Sequence, residues 1–212
     1  MKLVQHSFEV TYPASLVDAQ QELKAIESSG RLCYKSEDRI TQSSYRVFIE
    51  SVIKRGHWSI VEHAIMRAHI VTNRGVTHEL VRHRLASYSQ ESTRYCNYSG
   101  GKFGGELSFI QPDELVDDAL ASWFTCMQMC ERHYLEMIKM GVSPQVARGV
   151  LPNDLKAEID VTANLREWYH IFDLRTSPAA HPHMQKVMLL GLEQAMLYFP
   201  VVFNNLRKEV EQ

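Results

Sequence analysis

Long apolar runs are missing from this sequence: none approaches the ~20 residues that a bilayer-spanning helix requires. An excess of one charge is missing too. With 23 Lys and Arg against 25 Asp and Glu, the formal net charge is -2, which gives no global pull toward nucleic acid or an anionic membrane. Any basic site must therefore be a local concentration of arginine or lysine. Cysteine is sparse: Cys33, Cys96, Cys126 and Cys130 are scattered, so a disulfide framework is not expected and reduced thiols are. The first residues carry no apolar signal-peptide core, and a cytoplasmic protein is the expectation. There is no repeat and no low-complexity tract. No Gly-x-Gly-x-x-Gly follows a strand, which argues against a dinucleotide-binding turn, and the glycine-rich stretch Gly100 to Gly105 lacks the Gly-Lys-Ser/Thr ending of a phosphate-binding loop.

What is present is an ordinary globular composition, 45% hydrophobic and 23% charged over 212 residues. One domain spanning residues 1–212 is expected, large enough to bury a core without staples. Periodicity predicts a strand over Lys2–Thr11 and a helix over Ser15–Ser28, capped by Ser15 and stopped at Gly30. A second helix is predicted over Ser43–Arg55, closed by Gly56, with Val47, Phe48, Val52 and Ile53 as its apolar positions. A loop follows at Gly56–Ser59, then a strand over Ala64–Thr72 and a helix over Val76–Leu85. Downstream come a loop at Ser99–Gly105 and a long helix over Glu114–Met140, with Leu120, Trp123, Met127, Tyr134 and Met137 facing the core. A short helix capped by Ser143 runs through Arg148, a strand over Glu158–Thr162 follows, and two helices cover Leu165–Leu174 and His183–Tyr198, the last stopped by Pro200. Helices dominate a few strands, so the expected class is α+β: helix-rich, with a small, mostly antiparallel sheet.

The densest chemistry lies between Arg82 and Tyr95, where three arginines, a histidine and several hydroxyl side chains crowd together. Guanidinium groups present a planar fork of donors to phosphate and carbonyl edges. Serine and threonine add donors, and tyrosine offers a flat face. A chain leaving a helix at Leu85 and turning back through small polar residues would wrap a nucleotide. A solvated basic helix end would carry the same residues, since cations also suit a helix C-terminus.

Arg82-His83-Arg84, seven further residues and then Ser92 resembles the RHR-x7-S signature of flavin-dependent thymidylate synthases, and Arg94-Tyr95 matches it also. Gly56-His57-Trp58-Ser59-Ile60-Val61-Glu62-His63 resembles the family's Gly-His-x-Ser/Thr-x-x-Glu-His segment. Ala147-Arg148, Leu151-Pro152, Asn164-Leu165-Arg166, Leu174-Arg175 and His183-Met184-Gln185 are similar to its later elements, so the likeness runs from about Arg31 to Gln185.

That resemblance implies a ThyX-like fold and the reductive methylation of dUMP to dTMP. The carbon donor would be 5,10-methylenetetrahydrofolate, and FAD reduced by NADPH would supply the hydride. It implies flavin contacts from Ser59, Arg82, His83, Arg84, Gln90, Asn164, Arg166 and His170. It places dUMP against Glu79, Arg82, Gln90, Glu91, Ser92, Arg94, Arg148 and Arg175, with Arg94 and Arg148 on the phosphate. Arg175, His57 and Ser92 would serve the reaction itself, Arg175 by polarising the uracil ring and His57 near flavin and folate. Sites shared between the subunits of a homotetramer are implied, with no nucleic-acid or membrane partner. Three positions depart from the usual pattern. Glu79 stands where glutamine is common, Cys33 where a small residue such as serine is, and His170 where asparagine is.

Other signals compete. Cys126, Cys130 and His133 share one helical face at a spacing that suits metal ligands, but a fourth ligand is not apparent and no metal is expected. Cys96 follows Arg94 and could be activated as a nucleophile toward uracil. The arginine-rich segment could serve a nucleic-acid or nucleotide binding module, and the thiol face a metal-dependent hydrolase.

Overall fold

A computed structural model describes residues 1–210 and the side chains as far as Leu206. In chain order the elements are β1 (Lys2–Val4), β2 (Ser7–Tyr12), α1 (Leu16–Tyr34), α2 (Ser44–Lys54), β3 (Ile65–Asn73), α3 (Arg74–Leu80) and β4 (Ala86–Gln90). They continue with β5 (Ser108–Ile110), α4 (Asp117–Lys139), α5 (Pro144–Ala147), β6 (Lys156–Asn164), α6 (Leu165–Arg175), α7 (Pro182–Tyr198) and α8 (Pro200–Val210). The class is α+β, helix-rich with a small antiparallel sheet, as expected. Among the described residues no helix is long and apolar enough to cross a membrane.

The chain divides into two compact units. The first comprises Met1–His6, Val71–Leu80 and Ser89–Ile159. In it β1 lies parallel to β5, Lys2 facing Ser108 and Val4 facing Ile110. Its core gathers Leu107, Phe109, Tyr134, Trp123, Met127, Ala147 and Leu155. Helix α4 supplies Trp123, Met127 and Tyr134 to this core, while Leu120 and Met137 are only half-buried beside it. The Trp123 indole N–H donates to Asp154 Oδ2 at 2.8 Å, so the large ring is buried with its polar atom paired.

The second unit comprises Ser7–Ile70, Val81–Tyr88 and Asp160–Gln212. Strands β2, β3, β6 and β4 all have residues in it and are ordered β2-β3-β6-β4. An aromatic core runs through Phe8, Trp168, Phe172 and Phe203, with centroid separations of 5.7, 5.4 and 5.6 Å along the series. Trp168 Nε1 donates to the Met66 carbonyl at 2.8 Å, pinning α6 to β3.

Several expectations change. The strand predicted over Lys2–Thr11 is two strands, parted at Gln5 and His6. Helix α1 runs through Gly30 to Tyr34 and ends at Lys35, which adopts the left-handed conformation at φ 47°. Gly30 is there for close packing: a Cβ on it would lie 2.5 Å from the Phe48 ring. Gly56, at φ 76°, does close α2. Val47 is 72% exposed, so only Phe48, Ile49 and Val52 carry that helix's buried stripe with Tyr45. Gly56–Ser59 leads into a 3-10 segment, Trp58–His63. Helix α3 stops at Leu80, five residues before its predicted end, and Ala86–Gln90 is strand. Strand β6 is longer than the predicted core of Glu158–Thr162. Pro200 both ends α7 and opens α8, as its missing N–H suits a first helical turn.

Candidate active site

Strand β6 ends at Asn164, and that residue is also the N-cap of α6: its Oδ1 accepts the Glu167 backbone N–H at 2.8 Å. The cap fixes where α6 begins, and so places Arg166, Glu167, His170 and Arg175 along it. Across from α6, the linker after α3 carries Arg82-His83-Arg84. Tyr88 on β4 donates its hydroxyl to the His83 carbonyl at 2.7 Å, tying this linker down. Burial, with Glu167 nearby, pushes the Tyr88 phenol up to about 12, so it stays protonated and a donor.

These elements enclose a cavity of about 590 Å³, lined by Glu62, Arg82, His83, Arg84, Leu85, Asn164, Arg166, Glu167 and His170. Arg82, Arg84, Arg166 and His170 are exposed, while His83 and Glu167 are buried. Arg166 is paired with Glu62. Arg175 Nε donates to His83 Nε2 at 3.0 Å. Burial, then the cation of Arg175 and the His170 ring, hold His83 down at about 4. It is therefore neutral near pH 7, and its Nδ1, 3.8 Å from Glu167 Oε1, makes a dipolar contact there rather than an ion pair. A cavity rimmed by three guanidinium groups favours an anionic, planar-edged ligand.

The first unit holds Glu79, Gln90, Glu91, Ser92, Arg94 and Arg148. Gln90 Nε2 donates to Thr77 Oγ1 at 2.9 Å. The Glu91 carboxylate accepts from Lys156 Nζ at 2.8 Å and from the Tyr98 hydroxyl at 2.9 Å. Lys156 also reaches Glu158 at 2.6 Å. Burial alone would lower the Lys156 ammonium, but the hydrogen bonds it donates to Glu158 and Glu91 outweigh it and hold it above its usual range. Burial, then Glu91, raises the Tyr98 phenol. Ser92 Oγ accepts the Arg94 backbone N–H at 3.3 Å, and Arg94 Nε donates to Gln145 at 3.2 Å with its guanidinium 5.3 Å from the Tyr95 ring centroid. Arg148 is exposed directly after α5, and Glu79 is half-buried on α3.

Thus Arg82, His83, Arg84, Asn164, Arg166 and His170 share one cavity, and Arg175 joins them through His83. His57 and Ser59 are exposed in the second unit and do not line that cavity. The Tyr34 hydroxyl lies 3.3 Å from His57 Nδ1. Sequence reasoning missed Glu62 and Glu167 as cavity walls and Lys156 as the partner of Glu91. Glu62 sat in a motif already noted, and Glu167 lies one residue from Arg166; nothing local marks Lys156. All four cysteines are free thiols. Cys130 is raised by burial and by Cys126, and among the described residues no three His, Cys, Asp or Glu side chains are grouped to hold a metal.

Fold and cavity together define an α+β protein with an arginine-rimmed cavity. The family profile described as thymidylate synthase complementing protein matches residues 15–201. A flavin-dependent thymidylate synthase from Geobacter sulfurreducens is 32% identical over 192 residues, spanning 85% of this chain and 80% of that one. One from Mycolicibacterium gilvum is 30% identical over 208 residues, spanning 89% and 81%. The crystal structure of a UMP/dUMP methylase, PolB from Streptomyces cacaoi bound with 5-Br dUMP, superposes with a TM-score of 0.77 over 96% of both chains at 22% identity, which is a likeness of fold. This chain belongs to the flavin-dependent thymidylate synthase family, a family of enzymes.

Proposed function

We propose that this protein methylates dUMP to dTMP, taking the carbon from methylenetetrahydrofolate and the reducing equivalents from NADPH by way of FAD. The observation that carries this reading is the cavity that brings both arginines of the Arg82-His83-Arg84 motif together with Asn164, Arg166 and His170. Its donor set fits the diphosphate of FAD: Arg82, Arg84 and Arg166 can each present forked N–H donors, and the Asn164 amide has its nitrogen left after Oδ1 is used as a cap. Ser59 and Gln90 complete the proposed flavin contacts. Bound and reduced, the flavin would supply hydride, chemistry that no side chain here can provide.

The chain's own part is to bind, orient and polarise. Arg94 and Arg148 would take the dUMP phosphate, Gln90 and Ser92 would hold the nucleotide, and Glu79 and Glu91 would flank it. Methylation at C5 needs electron density there, which grows when negative charge is favoured on the uracil N3 and carbonyl oxygens. A guanidinium held in place, Arg175, favours that charge without reorganising during the reaction. His57 would stand by folate and flavin. We read residues 1–212 as one synthase domain, since the matched span 15–201 runs through both units. We further propose a cytoplasmic homotetramer with sites shared between subunits, as the family resemblance implies, and no nucleic-acid or membrane partner.

The test is dTMP formation by purified protein given dUMP, methylenetetrahydrofolate, FAD and NADPH, with a parallel sample stripped of flavin. Flavin-dependent product is expected. Product without flavin would favour a Cys96 thiolate route, and no product would leave a nucleotide-binding role.

A further inference from the structure

The Arg82-His83-Arg84 motif sets one buried histidine between two exposed arginines. The outer two are free to swing toward a ligand. The middle one is 6% exposed and its Nε2 is already engaged by Arg175 Nε at 3.0 Å. An acceptor at Nε2 requires an imidazole that is neutral and carries its proton on Nδ1. The surroundings favour that form: Nδ1 faces the Glu167 carboxylate, and a proton on Nε2 would meet the Arg175 cation. The backbone of His83 is held in turn by the Tyr88 hydroxyl.

We propose that His83 is a positioning residue for Arg175, its neutral imidazole accepting the Arg175 Nε–H and so fixing the guanidinium that acts on the pyrimidine. This rests on the role of Arg175 given above. An arginine side chain has several rotatable bonds, and a guanidinium that must polarise a ring at one angle gains from being tied near its stem. The motif then has two functions: its arginines serve the flavin, while its histidine sets the residue that serves the uracil. Groups that orient metal-ligating side chains typically change affinity or activity about 10–100-fold when removed, and the same scale is expected for a group that orients a guanidinium.

Two variants and one spectrum test this. His83→Gln keeps a neutral acceptor, since its amide oxygen can reach the Nε2 position, whereas His83→Leu removes it. At saturating dUMP and flavin, kcat is expected to fall about 10–100-fold in His83→Leu. His83→Gln is expected to recover most of that loss, with absorbance used to bring every sample to full flavin loading before kcat is compared. Lost flavin affinity with kcat intact at saturation would make His83 a flavin contact and overturn the proposal. Equal loss of kcat in both variants would overturn the acceptor role.

The spectrum needs no turnover and no change at His83 itself. In flavin-free wild-type protein, the ring nitrogen shifts of His83 should report a proton on Nδ1 and none on Nε2. The charged and titratable groups around the ring are Arg175, His170, Glu167 and Arg166 on α6, Tyr88 on β4, Glu62, and its neighbours Arg82 and Arg84. With Arg175 in place, Nε2 should stay unprotonated as pH falls through ~6.5, where an ordinary histidine titrates. In Arg175→Ala its titration should move up toward that value. A proton on Nε2 near pH 7, or no change in Arg175→Ala, would overturn the proposal. Failure of the wild-type protein to make dTMP would remove the functional reading instead, and the tautomer would still decide whether His83 holds Arg175.

Discussion

The two units treat clustered charge in opposite ways. In the first, Lys156 sits among Glu91, Glu158 and Tyr98, and every charge has an opposite or a donor within hydrogen-bond distance. That cluster is closed, and its work is to hold the start of the Glu91–Arg94 segment against β6. In the second, Arg82, Arg84 and Arg166 line a cavity with only Glu62 and Glu167 as carboxylates, and the buried His83 imidazole beside them is kept neutral. That cluster is open and leaves positive charge for a ligand. A residue's type therefore does not reveal its surroundings: Glu91 and Glu167 are both half-buried or buried glutamates beside basic groups, but one has a lysine cation as its partner and the other faces a neutral imidazole.

The sharpest way to break the comparison is at Arg175, on the open side. Arg175→Ala is expected to lower dTMP formation by about 10²–10³-fold while flavin still binds, since it removes a preorganised charge aimed at the reacting ring. Turnover close to wild type in a flavin-loaded variant would take Arg175 out of the reaction. On the closed side, Lys156→Met should act on stability. It leaves Glu91 half-buried without its cation, which should cost about 2–3 kcal/mol in denaturant unfolding. An unfolding midpoint like that of the wild type would show that the cluster is solvated and holds nothing.

A smaller effect is expected at Arg94. Its Nε is engaged by Gln145, but it is an exposed side chain and can be replaced without opening the core. Arg94→Ala should weaken dUMP about tenfold, the scale of one charge-assisted contact to phosphate. Calorimetric titration with dUMP, and with deoxyuridine as the phosphate-free control, checks this. Equal affinity for dUMP in the variant and the wild type would reassign the phosphate contact.

The signals legible in the sequence were those with local physics. Period and caps gave α1, α2, α4, α6 and α7, and the motif residues Arg82, His83, Arg84, Asn164, Arg166 and His170 do converge on one cavity. What was hidden depends on partners distant in the chain. Gly30 looks like a helix stop, and only the Phe48 ring, packed where a Cβ would be, explains why the helix passes through it. Strand β5 is three residues long and pairs with β1 across the chain, so it has no period to detect. Residues Ala86–Gln90 are small and polar, and their strand exists because β6 offers an edge to pair with. Lys156 gives no local sign of its role, because its partner Glu91 lies 65 positions away.

The smallest expected effect separates the units by their helix caps. Ser15 and Ser143 look alike in the sequence, each a serine directly before a helix. Ser15 Oγ accepts the Asp18 backbone N–H at 3.2 Å and donates to the Asp18 carboxylate at 2.8 Å, so one otherwise unpaired donor of α1 is satisfied. Ser143 makes no side-chain cap bond; Pro144 follows it, and the Ala147 N–H bonds to the Ser143 carbonyl, which any residue could supply. Ser15→Ala should therefore cost about 1 kcal/mol and Ser143→Ala only a few tenths. Paired thermal melts would show the difference as a lower Tm for the first variant alone. Equal shifts would mean that the Ser15 bond exchanges freely with water and that position before a helix, rather than the side-chain bond, sets what a serine contributes there.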